Sequence, residues 1–263
     1  MILVMSGTEE GREIVKRLND KGEGVVTTVA TEYGHEIYEK IGLGHLCIQG
    51  RLGIKELSEF IRDNDIGTLI DATHPYATQA SLNAIKASEE SGIKYIRFQR
   101  SASVTEGGGI GETAIEKQEF VHIVTDMDEA VSWCSKSERK RILLTTGFSA
   151  AEKFAKLKEE KEIYVRILPM SDHIEQCVSM GIKPSNILAL QGPFSLELNK
   201  AIYNQYKIDV VITKDSGKTG GVPEKIQSAR EAGIDIVIVK REEIDYPVKC
   251  FSIDEVFCLL GMD

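Results

Sequence analysis

The sequence predicts an α/β protein of two related Rossmann-like lobes, each with a mainly parallel sheet, and a cleft between them. Three observations predict it. Short apolar runs alternate with segments of helical periodicity, and parallel strands require such crossover helices. The runs end repeatedly in glycine and polar residues, as strand-to-helix turns do. The first half also repeats in the second. ILVMSGTEEGREIVKRL matches ILLTTGFSAAEKFAKL in pattern, and TLIDATHPYA matches VVITKDSGKTGG in position. Both halves close alike, with GIKYIRFQR and GIDIVIVKR. The alternative architecture is one continuous larger sheet.

The elements follow in order. Ile2–Met5 is a strand that enters the turn Ser6-Gly7-Thr8-Glu9-Glu10-Gly11-Arg12, and Ile14, Val15 and Leu18 then recur at helical spacing. Val25–Ala30 is the second strand, ending at Thr31-Glu32-Tyr33-Gly34. Cys47-Ile48 is a weak strand, and 54–64 reads as a helix. Thr68–Ile70 leads into Asp71-Ala72-Thr73-His74-Pro75-Tyr76-Ala77, followed by a helix over 78–91 and a strand over 94–98. The segment 101–119, with Gly107, Gly108, Gly109 and Gly111, is a linker or lid. Asp126 to Glu129 cap a helix through Val131 and Trp133. Strands follow at 142–144, 164–168, 187–190, 210–213 and 234–239, with helices at 149–158, 174–180, 195–204 and from Glu224. A helix over 251–260 closes the chain. The expected division is a dinucleotide-binding lobe at 1–120 and a second lobe at 121–263, with the last helix free to pack back on the first.

Composition narrows the function classes. The chain has 263 residues, 42% hydrophobic and 28% charged, which suits a packed core rather than disorder. Its net charge of −9 argues against a nucleic-acid partner. Cys47, Cys134, Cys177, Cys250 and Cys258 form no CxxC, so we read reduced thiols, no structural metal and a cytoplasmic location. The amino end reads as a strand rather than a signal peptide, and no apolar run has the length of a membrane span.

Polar residues gather where strands end, which is where open α/β sheets hold ligands. The stretch VVITKDSGKTGGVPEKI is the richest. Lys214 offers a cation, Asp215 a carboxylate and Ser216 a hydroxyl. Gly217, Gly220 and Gly221 let backbone N–H groups approach an anion. A solvated strand–loop–helix turn is the plain alternative. In the first lobe, Gly7, Thr8, Glu9, Glu10 and Gly11 form a glycine turn at a helix start, suited to a phosphate, with Arg12 adding charge. Thr31 and Glu32 follow the second strand, where a ribose is read. Asp71 and Thr73 are candidates for cofactor contact. His74 is a candidate proton donor and Tyr76 a stacking surface for a flat ligand. Arg166 ends a strand and suits a carboxylate, and Phe194 in Gln191-Gly192-Pro193-Phe194 offers a second aromatic wall. For each, an ordinary structural role stands beside the functional one.

The stretches SGTEEGR, DATHPYA, TTG, RILP, LQGPFSLELN and TKDSGKTGGVPEK occur in this order over nearly the whole chain. In them the sequence resembles the precorrin-6A reductase family of corrin biosynthesis. That family opens with G-G-T-x-E, and Ser6 stands here at the first glycine. The resemblance implies an NAD(P)H-dependent reductase that saturates one double bond of a tetrapyrrole-derived macrocycle. It gives Lys214, Arg166 and Arg51 a rationale as partners of the substrate's carboxylates. His74 and Lys214 are the catalytic candidates, and a substrate carboxyl or water serves as well as His74 for the proton. The resemblance makes any cobalt part of the substrate and allows other corrin-pathway enzymes as partners. The anaerobic branch reduces a cobalt-bearing ring and the aerobic branch a metal-free one; no motif here decides between them, and the lean is to the cobalt form. Glu32, with no Arg or Lys between Lys21 and Lys40, favours NADH, whereas the family's aerobic members use NADPH. A different nicotinamide reductase or epimerase, and a non-enzymatic dinucleotide sensor or tetrapyrrole carrier, remain as alternatives.

Overall fold

A computed structural model describes residues 1–100 and 118–262. The chain forms two compact units. The first is Met1–Arg100 with Glu243–Asp263, and the described part of the second runs from 118 to 242. The expected division placed 121–263 in the second lobe, with the last helix free to pack back on the first. Here the chain from Glu243 onward belongs to the first unit. Most of the expected linker or lid, 101–117, lies outside the described residues.

In the first unit, strands β1 (Ile2–Ser6), β2 (Val25–Val29), β3 (Cys47–Gln49), β4 (Thr68–Ala72), β5 (Lys94–Phe98) and β12 (Lys249–Cys250) form one sheet. Its order is β12-β5-β4-β1-β2-β3, and every pairing is parallel. All five residues of β1 are buried, as a central strand covered on both faces requires. Helix α1 (Glu9–Asp20) starts where Thr8 accepts a hydrogen bond from Gly11 N at 3.1 Å. It buries Ile14, Val15 and Leu18 against Val4 and Ile70, and the closing helix α10 (Ile253–Leu260) adds Val256 and Phe257 to the same core. Each such side chain contributes about 1.5–3 kcal/mol. Helices α3 (Ile54–Asp63) and α4 (Thr78–Ser91) cover the opposite face, where Leu57, Ile61, Ala84 and Ala87 meet Leu3 and Leu69.

The second unit repeats the plan. Strands β6 (Val121–Val124), β7 (Arg141–Leu144), β8 (Glu162–Ile167), β9 (Ile187–Ala189), β10 (Val210–Lys214) and β11 (Asp235–Val239) stand in the order β6-β11-β10-β7-β8-β9, again all parallel. Helices α5 (Met127–Lys136), α6 (Ala151–Ala155) and α7 (Ser171–Ser179) pack on one face. Helices α8 (Leu196–Gln205) and α9 (Val222–Ala232) pack on the other.

Both sheets therefore have the 3-2-1-4-5-6 order of a dinucleotide-binding fold. The sixth strands are exchanged along the chain. β6 follows the first unit's fifth strand yet completes the second sheet, and β12 follows β11 yet completes the first. Neither sixth strand was read from the sequence. Helix α2 (Glu32–Lys40) was also missed, and 31–34 is its start rather than a loop. The helix expected at 149–158 is a 3-10 turn, Phe148–Ala150, followed by the short α6.

Candidate functional site

The strand order reverses between β1 and β4 in the first unit, and between β7 and β10 in the second. These switch points open crevices at the carboxyl ends of the strands. The turns 6–12 and 71–77 and the loop 214–221 lie there.

In the first unit, Ser6 pairs with Ala72 across β1 and β4, so the turn after β1 and the loop after β4 start side by side. Thr8 joins them by donating from Oγ1 to Ala72 O at 3.1 Å. Its hydroxyl also caps α1, so its expected contact with a cofactor gives way to an internal role. Gly11 is corrected in the same way. A Cβ there would lie 2.7 Å from Ser6 Oγ and 3.2 Å from Ala72 Cβ, so this glycine serves helix–strand packing. Gly7 differs. It is exposed, has no positive φ, and its added Cβ would meet nothing within 4 Å. Neither conformation nor internal packing asks for glycine there, and a ligand seated on the exposed turn would. Ser6, in the place of the family's first glycine, is buried, and its Oγ accepts from Tyr38 OH at 2.8 Å.

Glu9 is exposed in the first turn of α1, and Arg12 is half-buried one turn in. Glu10 forms an ion pair with Arg100, a residue that sequence reading passed over. A carboxylate beside a bound phosphate would repel it, so Glu10 suits holding Arg100 better than touching a dinucleotide. Thr31 caps α2 by accepting from Gly34 N at 3.1 Å, and Glu32 is the first residue of that helix. Both are exposed at the end of β2.

Asp71 is also corrected. It is 0% exposed, and both its oxygens are engaged inside the protein. Oδ1 accepts from Arg97 Nη1 at 2.6 Å and from Thr73 N and Oγ1 at 3.0 and 2.7 Å. Oδ2 accepts from Tyr95 OH at 2.8 Å. Burial and then the Asp71 charge push the Tyr95 hydroxyl far up, so it stays a donor. Arg97 also donates from Nη2 to Thr73 O at 3.2 Å, and its guanidinium lies 5.2 Å from the Tyr246 ring centroid. This network carries no free carboxylate to a ligand. It fixes Thr73, and Thr73 leads into His74. His74 is exposed, and its Nδ1 accepts from Tyr76 N at 3.3 Å, which leaves the proton of a neutral ring on Nε2. The half-buried Tyr76 ring stands 5.9 Å from it, tilted.

In the second unit, Lys214 ends β10 half-buried, and burial lowers its pKa. Asp215 and Ser216 are buried, and Arg241 Nε donates to Asp215 O at 2.7 Å. The loop's glycines are consumed by the loop itself. Gly217 and Gly221 have φ of 79° and 69°, which other residues adopt with strain. A Cβ at Gly220 would fall 1.8 Å from Ser216 Oγ. Arg166 is buried rather than presented on the surface. Its Nη1 donates to Asn199 Oδ1 at 2.7 Å, and its guanidinium stacks 4.1 Å from the Phe194 centroid, so Phe194 serves Arg166 first. Burial lowers the pKa of Arg166. Sequence reading missed Lys225, buried in the first turn of α9, because its motif reads as a plain helix start. Arg51 is exposed beyond β3.

A concavity of about 310 Å³, lined by Lys158, Lys161, Gly181 and Asn186 among others, lies at the amino end of β8. That is the opposite end of the sheet from these loops. Among the described residues, no helix is long and apolar enough to cross a membrane, and no group of three or more His, Cys, Asp or Glu is placed to hold a metal ion.

Two Rossmann-order sheets with polar loops at both switch points define a protein of the double Rossmann-type α/β class. Comparison with known proteins carries this further. Residues 1–260 match the family described as Precorrin-6x reductase CbiJ/CobK. The cobalt-precorrin-6A reductase of Methanothermobacter thermautotrophicus is 37% identical over 247 residues, covering 93% of this chain and 77% of the relative. That of Priestia megaterium is 31% identical over 265 residues, covering 97% and 96%. That of Methanocaldococcus jannaschii is 35% identical over 258 residues, covering 97% and 95%. A solved structure of CobK precorrin-6A reductase has the same fold, with a TM-score of 0.77 at 21% identity over 99% of this chain and 95% of that one. The chain belongs to the precorrin-6x reductase family.

Proposed function

We propose that the chain catalyses the NAD(P)H-dependent reduction of cobalt-precorrin-6A to cobalt-precorrin-6B in cobalamin biosynthesis. The match to the reductase family over residues 1–260 carries this reading. The choice of the cobalt-bearing macrocycle follows the relatives from Methanothermobacter, Priestia and Methanocaldococcus, each described as a cobalt-precorrin-6A reductase. The cobalt is part of the substrate.

We assign the dinucleotide to the carboxyl end of the first sheet. The residues there fit one: Gly7 opens a turn at the start of α1 that its own packing does not fill, and helix N-termini favour phosphate. When bound, a reduced nicotinamide supplies the hydride. The protein's part is position and charge. Gly7 gives backbone access, Arg12 adds a cation, and Glu32 with Thr31 faces the ribose. The Asp71–Arg97 network sets the path of Thr73 to Tyr76. His74 is our candidate for holding a proton at Nε2, and Tyr76 for lying against a flat ring. We assign the macrocycle's carboxylates to the second unit, with Lys214 and Arg166 as cations and Ser216 as a hydrogen-bonding group.

The test mixes the protein with a reduced nicotinamide and either cobalt-precorrin-6A or the metal-free ring. Absorbance is followed at the nicotinamide band and in the macrocycle bands. Coupled loss of the nicotinamide band and a shift of the macrocycle bands, faster with the cobalt form, is the expected result. Binding without nicotinamide oxidation would make the chain a carrier or sensor, and faster turnover of the metal-free ring would overturn the choice of substrate.

A further inference from the structure

We propose that Lys225 is a positioning residue whose side-chain amine ties the Lys214–Gly221 loop to the end of β10 and thereby sets that loop's grip on the substrate. The proposal rests on the reading of this loop as the macrocycle's carboxylate site.

Lys225 lies in the first turn of α9, next to the core residues Val222 and Ile226. It is 8% exposed. Its Nζ donates to Thr213 Oγ1 at 3.2 Å and to Gly220 O at 3.0 Å. Thr213 belongs to the rigid sheet and immediately precedes Lys214. Gly220 is at the far end of the loop. One side chain therefore spans both ends of the segment that carries Lys214, Asp215 and Ser216.

The loop's own geometry transmits that constraint. Gly220 packs so closely on Ser216 that a Cβ would fall 1.8 Å from Ser216 Oγ. Gly220 N also donates to Gly217 O at 3.1 Å, and Ser216 N to Lys214 O at 2.8 Å. Fixing the Gly220 carbonyl thus fixes the wall against which Ser216 rests, and Ser216 is one step from Lys214.

Packing alone does not call for an amine here. Methionine matches the stem in volume and has no charge to bury. Both bonded partners of the ammonium are neutral, and the adjacent Arg166 on β8 opposes its charge, while Glu224 on its own helix favours it. The fold buries an amine whose charged form is disfavoured, and its evident return is the pair of bonds joining loop to strand.

The test is steady-state kinetics of the full chain with precorrin-6A in its cobalt form and reduced nicotinamide. Lys225→Met should raise the KM for precorrin-6A about tenfold, leave the KM for the nicotinamide within about twofold, and not lower the Tm. Thr213→Val removes one of the two bonds with a side chain of the same shape. It should move the same KM in the same direction and decides the matter if Lys225→Met does not fold. An unchanged precorrin-6A KM in the folded variants, or a parallel rise in both KM values, would overturn the proposal. Lys214→Ala in the same assay separates this failure from that of the underlying reading. If only Lys214→Ala raises the precorrin-6A KM, the loop holds substrate and Lys225 does not position it. If none of the three variants moves it, the loop is not the substrate site and the proposal falls with it.

Discussion

Arg97 and Asp71 form an ion pair of 2.6 Å in which neither side chain is more than 1% exposed. It sits at the carboxyl end of β4, directly beneath the Thr73–Tyr76 loop. Removing one partner strands the other charge in the core, which costs about 3–5 kcal/mol. Arg97→Met is therefore expected to destabilise the first unit by roughly that amount in urea unfolding. A loss of under about 1 kcal/mol would show that Asp71 finds enough stabilisation from Tyr95 and Thr73 alone.

The two glycines of the first turn are expected to part company. Gly7→Val should weaken dinucleotide binding while leaving the thermal midpoint near wild type, because its side chain enters open space. Gly11→Ala should lower the midpoint, because its Cβ meets Ser6 and Ala72. Calorimetric titration with the nicotinamide, beside thermal unfolding, reads both. Full affinity in a folded Gly7→Val protein would move the dinucleotide away from this turn.

The alternation of buried runs and helical periodicity made both sheets legible, since central strands such as Ile2–Ser6 and Val210–Lys214 are apolar up to their last one or two residues. The sixth strands were not legible. Lys249–Cys250 is two residues long, and its place beside β5 is set by the path of the chain after Val239, which no local pattern encodes. Helix α2 hid behind Gly34, a residue that weakens helix propensity but here follows a capping Thr31. At the site, residue types pointed to the strand ends where the polar loops stand, yet the sequence did not separate side chains open to solvent from those serving the fold. Asp71 and Gly11 read as ligand contacts because carboxylates and glycines at strand ends usually invite that reading. Their burial follows from Arg97 and Ser6, partners far off in sequence or on another element.

Lys225 gives a pH signature of stability. Burial, with Arg166 adding to it, lowers its pKa to about 7, against 10.5 as the ordinary value. Between these two values the unfolded chain holds a proton that the folded chain has released. Stability gained from this group therefore rises as pH increases from about 7 toward 10.5, and is lost as pH falls toward 7. The contribution is on the order of a few kcal/mol across the window. Urea unfolding at several pH values should show wild type gaining on Lys225→Met over this range, since the variant lacks the titration. Parallel curves would mean that the ammonium is not shifted in the fold.

Nicotinamide choice tests the placement of the ribose. Thr31 and Glu32 are exposed at the end of β2, with Glu32 in the first helical turn of α2. An acidic side chain there accepts hydrogen bonds from a free ribose 2′-hydroxyl and repels a 2′-phosphate. No Arg or Lys lies between Lys21 and Lys40 to receive that phosphate. Arg12 and Arg51 are the cations on neighbouring loops that compete with this reading, the first half-buried in α1 and the second exposed after β3. We expect NADH to have the higher kcat/KM when both cofactors are measured at the same ionic strength. Glu32→Arg should then narrow the gap, because it replaces the repelling charge with an attracting one at the same helix turn. A tenfold preference for NADPH, about 1.4 kcal/mol, would remove Glu32 from the ribose and point to Arg12 or Arg51 as the phosphate's partner. If NADH is preferred but Glu32→Arg leaves the gap as it was, the discrimination comes from another residue at the end of β2.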